Sequence, residues 1–176
     1  MAVMLAVLTF TASAGTPSSD DRPYGIGRPA TEAEIQTWNI DIMPSGEGLP
    51  PGRGTVAHGK QVYAAKCAAC HGPTGMEGPR DPLVGGQGTL KTSDPRKTVG
   101  SYWPYATTLY DYIYRAMPFT EPQSLTSDEV YAVVAWILSR NGIIPDDAVI
   151  DATTLPAVRM PNRNGFVPDP RPDVPR

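Results

Sequence analysis

Both cysteines of this 176-residue chain fall in one short segment, Cys67-Ala68-Ala69-Cys70-His71. C-x-x-C-H is the attachment pattern of a c-type haem. Two thiols on adjacent turns of a helix can add to the two vinyl groups of one porphyrin. His71 then lies under the ring and can offer an imidazole nitrogen to the iron. Gly72 lets the backbone leave the ring edge without a side chain in the way. Two other chemistries compete for this spacing. A thioredoxin-like redox pair belongs beside a βαβ pattern, and no such pattern is visible. A structural zinc site needs about four ligands. Cys67, Cys70, His71 and the only other histidine, His58, could nominally supply them, but the first three are too close together for paired knuckles. The cysteine arithmetic favours one covalent haem c over zinc or thiol chemistry.

A haem iron held by one imidazole has a sixth position to fill, and six methionines are available. Met1 and Met4 belong to an export signal. Met76 follows His71 too closely to reach the opposite face of a ring. Met43 precedes the haem helix, and Met160 lies in a proline-rich tail. Met117 stands 46 residues beyond His71, at the end of a helical stretch and directly before Pro118. Met117 is therefore favoured, Met160 is the next candidate, and core packing is the competing role for Met117. His58 lies thirteen residues before His71 on the haem-bearing helix, a poor position for a second imidazole. A thioether on the iron raises its potential and suits an electron carrier. Trp103, Tyr105 and Arg80 carry donors suited to haem propionates, with plain ring packing the alternative for the two aromatics.

Three helical stretches must position these groups. The first runs from about Thr55 to Cys70, with Gly59, Tyr63, Cys67 and Cys70 on one face. The second, Thr107 to about Ala116, has to stop before Pro118, whose ring disfavours helical geometry in the residue ahead of it. The third opens on a capping box, Thr126 with Glu129, carries the stripe Val130, Val133, Val134 and Ile137, and ends near Gly142. No alternating run is long enough for a strand, so the core is all-α. Pro 20 and Gly 17 make turn-formers more than a fifth of the chain, which predicts long irregular segments around a small ordered core. The boundaries that follow are a signal peptide over 1–14, an irregular N-terminal extension over 15–54, a cytochrome domain over 55–143 and an irregular C-terminal extension over 144–176.

A formal charge of −3 argues against nucleic acid, which selects basic surfaces. The apolar run Val3 to Phe10, followed by Ala12-Ser13-Ala14, has the form of a cleaved export signal and is too short for a membrane span. No Lys or Arg precedes it, and a buried N-terminal helix is the competing reading. Covalent haem attachment in bacteria takes place outside the cytoplasm, so signal and motif agree on the periplasm.

The order of parts is a helix ending in C-x-x-C-H, loops, a helix leading into a methionine, then a final helix. It resembles the class I cytochrome c fold. That family brings a glycine and an aromatic of the first helix against the last, roles that Gly59, Tyr63, Val133 and Trp136 fit. Segments such as LVGGQGTL, KTVGSYWPYATTLYDYIYRAMPF and SLTSDEVYAVVAWILSRNGII resemble the cytochrome subunit of sulfane dehydrogenase, the SoxD family of the Sox sulfur-oxidation system, over roughly Pro23 to Phe166. The resemblance implies that Cys67, Cys70, His71 and Met117 are the haem residues. It also implies a SoxC-like molybdenum-cofactor subunit as electron donor and a downstream cytochrome as acceptor. Related single-haem cytochromes serve sulfite dehydrogenases. A free periplasmic shuttle is the alternative, and the long flanks favour a subunit. Nothing in the chain forms a nucleophile–base pair, so catalysis is not expected of it alone.

Overall fold

A computed structural model describes Tyr24 and residues 26–171. The proposed export signal lies outside the described residues, as does the end of the C-terminal tail. The chain divides into two compact units, Met1–Asn39 and Ile40–Arg176.

The larger unit is built around helix α5, Ser127–Arg140. Its start is the expected capping box: Thr126 Oγ1 accepts from the Glu129 backbone N–H at 3.3 Å, and Glu129 accepts in return from the Thr126 N–H at 2.8 Å. Every residue from Val130 to Ser139 is buried, so α5 is enclosed all round rather than along one stripe. Helices α2 (Val56–Lys66) and α4 (Ala106–Ala116) pack against it.

Helix α2 begins where Thr55 Oγ1 accepts from the His58 N–H at 3.1 Å. The single helix expected over 55–70 is divided. The backbone leaves helical geometry at Cys67 (φ −123°, ψ −35°), and a four-residue helix α3, Ala68–His71, follows before Gly72 turns the chain at φ +78°. Helix α4 buries Leu109, Tyr110 and Ile113 and stops at Met117, whose extended backbone (φ −122°, ψ 144°) is what a following proline requires.

The first and last helices of the core touch at Gly59. A Cβ built there would overlap the Ala132 carbonyl and reach Trp136 Cβ at 2.8 Å. Ala132, rather than Val133, is thus the α5 residue at the closest approach. One turn on, Tyr63 stacks on Trp136 with ring centroids 3.8 Å apart and planes at 29°, so the crossing is both close and aromatic.

The flanks carry more order than their composition suggests. Arg53–Thr55 (β1) pairs antiparallel with Val149–Asp151 (β2), a ribbon laid over α5. Gly54 permits that seat, because a Cβ there would overlap the Ala132 backbone. Beyond β2, Leu155 and Met160 enter the core at 0% and 3% exposure. On the other side Arg115 binds Asp111 at 2.7 Å and Asp41 at 2.9 Å, which ties residues 40–42 to α4. The smaller unit holds helix α1, Glu32–Trp38, capped by a second box between Thr31 and Glu34. None of the described helices is long and apolar enough to cross a membrane.

Candidate functional site

The two thiols sit at the junction of α2 and α3. Cys67 is half-buried against the core cluster, and Cys70 is exposed. Burial, reinforced by the neighbouring Cys70, pushes the Cys67 thiol up to about 11. His58 stands exposed on α2, and no three metal-ligating side chains gather anywhere among the described residues.

His71 is oriented by backbone. Its Nδ1 lies 2.9 Å from the Asp81 carbonyl oxygen. A carbonyl only accepts, so Nδ1 carries the hydrogen and Nε2 is left with the free lone pair. The acceptor comes from a loop folded back onto α3. In that loop the Arg80 N–H donates to the Cys70 carbonyl at 3.0 Å, and the Leu83 and Val84 N–H groups donate to the Gly75 carbonyl at 2.8 and 3.1 Å. Tyr63 Oη donates to the Gly72 carbonyl at 2.9 Å, linking the α2–α5 crossing to the end of the motif. Gly78 lets the loop close, since a Cβ there would overlap the Cys70 carbonyl.

Asn141, just past α5, pins the far side of the same loop. Its Nδ2 donates to the Leu83 carbonyl at 3.2 Å and to Ile137 at 2.9 Å, while its Oδ1 accepts from the Gly85 N–H at 3.0 Å. Gln87 Nε2 donates to the Asn141 carbonyl at 3.0 Å. Leu83 is joined to Asp81 through Pro82 alone, whose fixed φ limits the play between them.

The remaining candidates fall in different places. Met117 is partly buried against the core cluster, directly at the end of α4. Met160 is enclosed within that cluster, while Met43 and Met76 are half exposed. Trp103 is partly buried and meets the Tyr112 ring edge to face at 5.8 Å. Tyr105 lies beneath the Arg163 guanidinium at 4.4 Å, a cation–π pair that occupies its face. The Arg80 side chain is exposed, and it is the residue's backbone that joins the site.

The model of the family "Cytochrome C oxidase, cbb3-type, subunit III" matches residues 54–137, from β1 through most of α5. No curated protein matches at a significant level. Among solved structures, the sulfane dehydrogenase SoxCD from Paracoccus pantotrophus matches with a TM-score of 0.77 and 44% identity, over 84% of this chain and 73% of that one. The chain belongs to the sulfane dehydrogenase cytochrome family. It is a class I c-type cytochrome, and its cofactor is a covalently bound haem c.

The cytochrome's own donor set fits that group. Two thiols at i and i+3 are followed directly by an imidazole whose only free nitrogen is Nε2, and a thioether terminates the next long helix. Asp81 and Asn141 were not among the residues the sequence singled out. Asp81 acts through a main-chain carbonyl, which has no residue-type signature. The one pointer was Pro82, which stiffens the carbonyl ahead of it.

Proposed function

We propose that this cytochrome is the electron-transfer subunit of a periplasmic sulfur-compound dehydrogenase, accepting electrons from a molybdenum-cofactor subunit and releasing them to another cytochrome. The observation that carries the reading is the likeness to SoxCD at 44% identity over 84% of the chain, together with a motif able to hold haem.

When bound, haem c supplies reversible one-electron chemistry. Cys67 and Cys70 tether it through thioethers, so the group stays in place through repeated turnover. His71 would present Nε2 to the iron, held in the right tautomer by the Asp81 carbonyl, and such a partner raises the basicity of a ligating imidazole. Met117 would supply the second protein ligand to the iron, and a soft sulfur there would favour the reduced metal and lift the potential. The Trp103 indole N–H, the Tyr105 hydroxyl and the Arg80 guanidinium are the candidate donors to the haem propionates. With His71 and Met117 both given to the iron, the chain would offer substrate no place on the metal. Sulfur chemistry therefore belongs to the partner, and this chain only carries charge.

Reconstitution tests the division of labour. The molybdenum subunit alone should fail to pass electrons from protein-bound persulfide or sulfite to an external cytochrome acceptor, and adding this chain should restore turnover. Full turnover without it would remove the subunit role and leave a free-shuttle cytochrome. The relative response to the two donors separates a sulfane from a sulfite dehydrogenase.

A further inference from the structure

Among its described residues the N-terminal unit carries large apolar side chains that are exposed. Helix α1 has seven residues and none is buried. Ile35 and Trp38, one turn apart and so on one face, are 47% and 84% exposed, and Tyr24 and Ile26 just ahead are 86% and 84% exposed. The segment nevertheless carries local bonds of its own. The Thr31–Glu34 box caps the helix, and Arg28 forks onto the Glu34 carboxylate, with Nη1 on Oε2 at 2.7 Å and Nη2 on Oε1. Local bonds thus hold a helix too short to be stable in isolation, while its tryptophan remains in water. Rigid aromatic side chains of this kind are the residues that anchor protein interfaces.

The match to SoxCD bears on what covers this face. It takes in 84% of 176 residues, about 148, whereas the larger unit Ile40–Arg176 has only 137. The shared architecture therefore includes part of the N-terminal unit, in a protein solved as a two-component assembly. We infer that the apolar face of α1, formed by Trp38 and Ile35, is a docking arm for the molybdenum-cofactor subunit. The inference rests on the function proposed above and adds where the partner is held. It also separates the two tasks of the chain. The motif at 67–71 would hold the haem, and α1 would hold the partner.

The test uses the full-length, haem-loaded cytochrome and the purified molybdenum subunit, with the dissociation constant measured by titration calorimetry. Ile35→Ser and Trp38→Ala together alter two exposed side chains, so fold and haem spectrum should be unchanged. Binding should weaken about 30-fold or more, the scale of losing an interface anchor. Equal binding by wild type and double variant would overturn the docking arm and leave the subunit role standing. Failure of the wild type to bind would overturn both. Loss of self-association instead, seen by sedimentation, would assign the face to a second copy of this chain and overturn the inference.

Discussion

At the residue scale the site depends on which side chains touch iron and which hold those that do. Replacing Met117 with Ala should abolish the thioether-to-ferric-iron charge-transfer absorption and lower the potential. Met160→Ala should change neither. Its thioether lies in the core at 3% exposure, so its loss should cost about 2–5 kcal/mol of stability. The reverse pattern in the two spectra would exchange their roles. Asn141→Leu probes the support of His71. Freed from Nδ2 and Oδ1, the 81–87 loop should hold the Asp81 carbonyl less firmly against Nδ1, the imidazole should donate less to the ferric iron, and the potential should rise. Met160→Ala is the destabilised comparator whose potential stays put. The motif itself was fully legible in the sequence, because covalent attachment demands fixed residue types at fixed spacing. Asp81 and Asn141 were not, because one works through its backbone and the other is a polar residue just past a helix end, where solvent exposure is the usual outcome.

Among the elements, the crossing of α2 and α5 and the cap of α5 carry the frame. Gly59→Val places a branched side chain where even a Cβ overlaps the Ala132 carbonyl. Destabilisation of about 1–3 kcal/mol is expected, lowering the thermal midpoint by several degrees while covalent haem remains. An unmoved midpoint would mean the helices do not meet there. The capping box gives a pH dependence with a definite sign. The Thr126 backbone N–H, then its hydroxyl, hold the Glu129 carboxyl below the usual carboxylate range. A depressed acid adds stability above its ordinary pKa and loses it as pH falls through the folded value. Thermal melts taken from neutral pH downward should show Glu129→Gln with a shallower acid limb than wild type, and Thr126→Ala should cost about 1 kcal/mol at neutral pH.

The three core helices were legible because caps, a proline stop and three-to-four spacing coincide in each. Helix α1 carries the same signature, Thr31 with Glu34, but without an apolar stripe long enough to point to a helix. The β1–β2 ribbon was hidden because each strand has three residues, too few to display a period of two.

For the whole molecule, the two flanks serve as more than cover. The segment after α5 returns to pair with β1 and inserts Leu155 and Met160 into the core, closing the haem domain from behind. Composition could not reveal this, since isolated apolar residues in proline-rich sequence have no periodicity to betray their burial. Within the larger unit the residues proposed to hold haem lie in the 67–85 segment and at the end of α4.

The central claim is that electrons reach this cytochrome only through a partner that performs the sulfur chemistry. Its most direct test is stopped-flow absorbance of the oxidised haem after mixing with protein-bound persulfide or sulfite, with the isolated chain and with the chain bound to the molybdenum subunit. Reduction in the complex within the turnover time, and none over the same interval for the isolated chain, is the expected result. Equal rates in the two samples would contradict it.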